Sequence, residues 1–269
     1  MSRRCRLVTW NVNSIRSRMD HLDRFITQYQ PDILCLQETK VEDHLFPQEW
    51  LRGRGFDHMI FTGQKSYNGV AIISRIPLAA APRRAWTGRE DCRHLAVTLP
   101  NNIELHNFYV PAGGDIPDPA LNDKFAHKLS FLEEMTQWSS GLDGRERLIL
   151  VGDLNVAPLE HDVWSHKQLL KVVSHTPVET ERMLAMQRAG SWVDVMRRFV
   201  PEDQKLYSWW SYRSPNWDKA DKGRRLDHVW TSPAAAPFAA HMEVVRDARG
   251  WERPSDHVPV VVDFMLDDL

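Results

Sequence analysis

The sequence predicts an α/β layered fold with a partly antiparallel sheet. Three observations carry this. Short apolar runs rich in Val, Ile and Leu recur along the chain, each flanked by turn residues. Helically spaced apolar positions lie between some of them. Elsewhere strand-like runs follow one another through short turns, so strand and helix do not alternate strictly.

The elements follow in chain order. Leu7-Val8-Thr9-Trp10 reads as a buried strand. After Asn13-Ser14, an expected N-cap, Ile15, Met19, Leu22, Phe25 and Tyr29 keep helical spacing until Pro31 stops the run. Ile33–Leu36 and Val70–Ile73 are the next buried strands, and Pro100-Asn101-Asn102 reads as a turn between strands. Leu121, Phe125, Leu129, Leu132 and Met135 predict a second helix. Leu148–Val151 predicts a further strand. A third helix is expected from about Glu179 to Ala189, with Gly190 as its stop. Val260–Val262 is the last apolar strand. No Gly/Ser linker, charge block or short repeat divides the chain, so a single domain over residues 1–269 is expected.

Composition narrows the function classes. With 42% hydrophobic and 26% charged residues, low-complexity and collagen-like chains are excluded. A net charge of −2 argues against binding polyanions by bulk charge, but leaves room for a local basic patch. Cys5, Cys35 and Cys92 are too few and too scattered for a disulfide framework or a zinc cluster. They read as free thiols in a reducing compartment. The start carries no signal-peptide pattern, and no apolar stretch is long enough to cross a bilayer. A cytoplasmic location is therefore expected.

What terminates the apolar runs is the informative feature. Asn11 and Asn13 follow the first run, Gln37-Glu38-Thr39-Lys40 the second, and Gly152-Asp153-Leu154-Asn155 the run at Leu148–Val151. Asn107-Phe108-Tyr109, Arg225-Leu226-Asp227-His228 and Ser255-Asp256-His257 occupy similar places. Each segment alone reads as a turn former, a cap or a solvated group. Together they gather amides, carboxylates, a phenol and an imidazole at strand ends, where sites are usually built. That inventory suits a hard divalent cation such as Mg²⁺ or Mn²⁺, and the acid–base groups of hydrolytic phosphoryl transfer. Gly-rich phosphate loops, a Gly-x-Ser-x-Gly elbow and a His-Glu-x-x-His helix are all missing from the sequence.

At these residues the chain resembles the exonuclease III family, the AP endonucleases of the endonuclease/exonuclease/phosphatase superfamily. The matching segments are Trp10–Arg16, Leu36–Lys40, Tyr67–Ala71, Tyr109–Pro111, Gly152–Asn155, Arg225–His228 and Ser255–Val260, in family order. Gly-Asp-x-Asn and Ser-Asp-His-x-Pro are shared across the superfamily. Gln-Glu-Thr-Lys, Asn-Gly-Val-Ala and Arg-Leu-Asp point to the exonuclease III branch.

The resemblance implies a four-layer α/β sandwich, with two mixed, largely antiparallel central sheets flanked by helices. It implies Mg²⁺-dependent hydrolysis 5′ to abasic sites and 3′-to-5′ exonuclease or 3′-end cleaning on double-stranded DNA, with Mn²⁺ as a possible substitute. Glu38 is the implied principal metal ligand, with Asn11 and Asp256, and with Asp153, Asn155 and His257 at a second position. Asp153 would activate water, Asn155 would hold it, and His257 paired with Asp227 would contact the phosphate. Tyr109 would donate to the phosphate or leaving oxygen, and Asn107 would support the cluster.

The stretch Tyr207–Arg225 interleaves aromatics with basic residues, which suits stacking plus phosphate contact. Trp209, Trp210, Arg213, Arg225 and Leu226 are the expected DNA contacts, although one of the paired tryptophans is expected in the core. By resemblance Trp209 and Leu226 line a pocket for a flipped-out sugar. Relatives often carry an aromatic where this chain has Arg224, and an amide or basic residue where it has Ala112–Asp115. Arg3-Arg4-Arg6, Arg83-Arg84 and Arg197-Arg198 are further basic clusters that would track phosphates, and Asp263, Asp267 and Asp268 are placed in an acidic tail. The expected partner is double-stranded DNA with abasic sites or blocked 3′ ends, bound by a monomer without a membrane. The alternatives are a superfamily phosphoesterase for a small or lipid phosphate, and a catalytically weak DNA-binding relative.

Overall fold

The computed structural model describes residues 2–82 and 84–267. Arg83 of the second basic cluster and Asp268 of the tail lie outside the described residues. The strands are β1 (Arg3–Asn11), β2 (Ile33–Gln37), β3 (His58–Thr62), β4 (Val70–Ser74), β5 (Ala79–Ala80), β6 (His94–Thr98) and β7 (Glu104–Tyr109), then β8 (Leu148–Asp153), β9 (Val193–Asp194), β10 (Trp209–Trp210), β11 (Gly223–Arg224), β12 (Asp227–Thr231), β13 (Ala239–Val244) and β14 (Val260–Leu266). Three longer helices are α1 (Met19–Tyr29), α2 (Asp123–Ser140) and α3 (Pro177–Ala189).

The strands form two six-stranded sheets, ordered β13-β14-β1-β2-β4-β3 and β5-β6-β7-β8-β12-β9. Pairing is antiparallel except for β1 with β2 and β7 with β8. The continuous apolar runs now have a physical reason: both faces of each sheet are covered. Leu7, Ile33 and Val262 meet Ile149, Val151 and Val229 in the core between the sheets. Their neighbours Val8, Leu34 and Val261 turn outward onto Phe25 and Ile26 of α1. Leu150 and Trp230 turn outward onto Phe131, Met135 and Met183 of α2 and α3. Helix, sheet, sheet and helix give the four layers.

Helix starts differ from expectation for local reasons. Asn13 and Ser14 both have positive φ, and a short 3₁₀ turn at Arg16–Arg18 precedes α1. The Asn13 side chain is used elsewhere, as described below. Leu121 stands outside α2 and is exposed, because Asn122 caps the helix by accepting from the Lys124 N–H. α3 starts at Pro177, two residues before the expected Glu179, which instead closes a capping box with Thr176. Cys5, Cys35 and Cys92 are free thiols. Asp263 is no tail residue: it lies in β14 and pairs with Arg6 at 2.7 Å, which takes Arg6 out of its basic cluster.

Candidate active site

The strand ends converge at one edge of the two sheets. β8 delivers Asp153 after Gly152, whose φ is +139°. A Cβ at Gly152 would stand 1.9 Å from the Phe108 carbonyl oxygen, so only glycine lets β7 and β8 approach here. The antiparallel register of β8 and β12 sets Asp227 directly opposite Asp153. Asn155 follows in a left-handed conformation, φ +54°, and its side-chain N–H donates to the Val110 carbonyl. Gly69, φ +94°, accepts from the Thr39 N–H and so shapes the loop that carries Glu38. Ser255 Oγ–H donates to the Asn11 carbonyl and accepts from the His257 N–H, tying the His257 segment to β1.

A chain of close contacts results. His257 Nδ1 lies 2.8 Å from Asp227 Oδ2, and its Nε2 lies 3.5 Å from Asp153 Oδ2. Asn11 Nδ2 donates to Asp153 Oδ2 and Glu38 Oε1, both at 2.9 Å. Glu38 also pairs with Lys40 at 2.7 Å. Burial raises the Asp153 carboxyl, with Asp227 and Glu38 adding repulsion, and pushes it up to about 7 despite His257. Burial alone would lower the His257 imidazole, but Asp227 and Asp153 outweigh it and push it up to about 10. Burial and the charges of Glu38 and Asp153 hold the Tyr109 phenol well above its ordinary value, hence neutral.

The donor set fits a divalent cation. Asp153, Asp227 and His257 each offer a ligand atom, all within 4.8 Å of one another. Asp227 Oδ1 is buried with no hydrogen-bond partner. The carboxylate oxygens accommodate Mg²⁺ without being specific to it, whereas His257 offers a nitrogen only once its proton has left.

Glu38, Asn155, Asp256 and His257 line a cleft of about 740 Å³, whose walls include Trp209, Leu226, Arg213 and Lys222. Asp153 and Asp227 sit buried at the same strand ends. Asp256 accepts from Trp209 Nε1 at 2.9 Å and from Asn13 Nδ2 at 3.3 Å, so it positions the Trp209 ring.

Three expected substrate contacts are instead scaffold. Trp210 is 2% exposed and donates its indole N–H to Asp221, making it the core member of the tryptophan pair. Arg225 is fully buried against Asp162 and Asp194. Asn107 is buried between the sheets, where it accepts from Gln37 and donates to the Leu36 and Ala71 carbonyls. Arg197 of the third basic cluster is likewise buried and paired with Asp162. In each case the backbone turns the side chain away from the cleft.

Sequence reasoning missed Ser208 and Trp164. Ser208 Oγ–H donates to Asp227 Oδ2 at 2.6 Å and accepts from the Leu226 and Asp227 N–H groups. A lone serine before two tryptophans gives no signal of this. Trp164 joins the cleft wall with the Lys222 ammonium 4.6 Å over its ring, and lies far from any motif.

The model of the Endonuclease/Exonuclease/phosphatase family matches residues 8–257, which sets the class. An AP endonuclease from Archaeoglobus fulgidus superposes with a TM-score of 0.89 at 31% identity, covering 97% of this chain and 100% of that one. The 3′ phosphatase NExo from Neisseria, solved bound to a product DNA hairpin, gives 0.87 at 30% identity, with the same coverage. Exodeoxyribonuclease III of Haemophilus influenzae is 29% identical over 271 residues, 96% of this chain and 99% of that protein. The chain belongs to the exonuclease III/AP-endonuclease family of that superfamily.

Proposed function

We propose that this protein is a DNA repair nuclease that hydrolyses duplex DNA 5′ to abasic sites and processes 3′ ends, with Mg²⁺ or Mn²⁺ as cofactor. The observation that carries the reading is the buried Asp153–His257–Asp227 chain beside a cleft walled by aromatic and basic side chains. The related AP endonuclease, 3′ phosphatase and exodeoxyribonuclease III support it.

A bound divalent ion would polarise a phosphate oxygen and neutralise charge on the leaving oxygen. Glu38, oriented by Asn11 and Lys40, is the residue we assign to hold it. Asp153 accepts the proton of the attacking water, a role suited to a carboxyl raised toward neutrality. Asn155 presents its amide oxygen to that water. His257, held charged by Asp227, donates from Nε2 to a phosphate oxygen. Tyr109 stays protonated and donates toward the leaving 3′ oxygen. Trp209 and Leu226 take the extruded sugar, while Arg213 and Lys222 meet the flanking phosphates.

We read the chain as one catalytic unit, active as a monomer in the cytoplasm. No helix among the described residues is long and apolar enough to cross a membrane.

The test compares an abasic duplex, an undamaged duplex with a recessed 3′ end and a 3′-phosphate duplex, each with Mg²⁺ and with EDTA. Metal-dependent cleavage is expected. No cleavage of any substrate would overturn the proposal.

A further inference from the structure

Arg224 has no part in the chemistry above, yet its side chain lines the cleft beside Leu226. Its guanidinium lies 5.0 Å from the Trp209 ring centre, and Nη1 donates to the Val173 carbonyl and to Ser174 Oγ at 2.8 Å. The neighbouring Arg225 is neutralised by two carboxylates. No such partner meets Arg224 among the described residues. The carboxylate that most favours its charge, Glu179, is already paired with Lys128. Its Nε is buried without an acceptor, and burial lowers its pKa from the ordinary arginine value. A half-buried guanidinium with no carboxylate partner is more stable once an anion completes it. Arg213 and Lys222 on the same cleft make that anion's approach favourable.

The reactions open to this site share the attacked phosphorus and the leaving 3′ oxygen. They differ in the group beyond the phosphorus. An abasic diester places a neutral sugar in the pocket, whereas a 3′-phosphomonoester places an additional anionic oxygen there. A neutral sugar has no use for an unpaired guanidinium. A terminal phosphate oxygen does, since guanidinium matches phosphate in charge and hydrogen-bond geometry.

We infer that Arg224 is a specificity residue that binds a terminal phosphate oxygen and favours 3′-phosphate ends over internal abasic sites; this rests on the reading of the site as a 3′-end-processing nuclease. In the step it serves, water adds to phosphorus as the P–O3′ bond breaks. One water proton passes to Asp153, the 3′ oxygen leaves with a proton from the Tyr109 hydroxyl and becomes a 3′ hydroxyl, inorganic phosphate departs, and exchange with water returns the proton from Asp153 to Tyr109.

The test measures kcat/KM on a 3′-phosphate duplex and on an abasic duplex for the parent, Arg224→Met and Arg224→Lys. Both substrates meet the same preparation, so loss of folded protein cancels in their ratio. The 3′-phosphate-to-abasic ratio is expected to fall about 10- to 100-fold in Arg224→Met, the size of a lost charged hydrogen bond. Most of that loss is expected in KM, with partial recovery in Arg224→Lys. A ratio within about twofold of the parent in Arg224→Met would overturn the assignment of Arg224 alone. Absence of cleavage of both substrates by the parent would instead overturn the nuclease reading beneath it.

Discussion

Two buried polar clusters begin two residues apart, at Arg225 and at Asp227, and they are built on opposite principles. In the first, Asp162 meets Arg225 at 2.7 and 2.9 Å and also pairs with Arg197, while Asp194 takes the other edge of Arg225. Two acids face two guanidiniums, and burial is offset so fully that the Asp162 carboxyl is held below its ordinary value. In the second, Asp153 and Asp227 share one imidazole, and Asp227 Oδ1 has no partner. There the Asp153 carboxyl is driven up instead. A balanced, satisfied cluster fixes geometry. A cluster left with surplus negative charge is held ready for a cation and a proton.

The largest expected effect tests the scaffold. Asp162→Ala takes from buried Arg197 its carboxylate partner and leaves Arg225 with Asp194 alone, and should cost about 3–5 kcal/mol in chemical denaturation. Cleavage per folded molecule should stay near the parent value. A large fall in that quantity at unchanged stability would erase the distinction between the clusters.

Asp153→Asn makes the converse case. Cleavage of abasic duplex should fall by about 10²–10³. Its thermal midpoint in EDTA should hold or rise, because a negative charge opposite Asp227 is gone. Parent-rate cleavage would remove Asp153 from the chemistry.

Ser208→Ala probes the seam between scaffold and site. It deletes the donor to Asp227 and exposes two backbone N–H groups, at about 1–3 kcal/mol of stability. Turnover per folded molecule should fall as well, as Asp227 loosens its hold on His257.

A further effect lies in the pH dependence of stability without metal. The Asp153 carboxyl is raised from 3.8 to about 7, so the folded chain holds that proton more tightly than the unfolded one. Its contribution is complete below 3.8 and is lost as pH rises through about 7. His257, raised from 6.5 to about 10, contributes fully below 6.5 and loses its share through about 10. Asp162 is depressed, so its contribution is present above 3.8 and is lost as pH falls. Thermal scans in EDTA should therefore show the midpoint declining across neutral pH, and Asp153→Asn should flatten that decline.

Much of this was legible in the sequence where both faces of a strand are buried. Leu7–Trp10, Ile33–Leu36, Val70–Ile73 and Leu148–Val151 announced themselves because both faces are buried and nearly every side chain is apolar, Thr9 being a buried exception bonded to Gln37. β3 did not, since His58–Thr62 is only half-buried and its residue types are mixed. At the site, residue types were readable but side-chain directions were not. Trp209 and Trp210 are adjacent in a two-residue strand and point opposite ways, and Arg224, paired with Trp209 at the end of β11, and the following Arg225 divide in the same way between cleft and core. Only the register of β10 with β11 decides which member of each pair reaches the cleft. Asn107 illustrates the same limit, since its type suits a ligand while its position between the sheets makes it a tether.

The hydrogen bonding of β1 to both β2 and β14 has a consequence for the site. The ladder that closes this sheet also brings the His257 segment to Asn11, through the Ser255 bond to the Asn11 carbonyl. Fraying of β14 therefore draws the imidazole off Asp153 and Asp227, so the closing of the sheet and the assembly of the site stand or fall together.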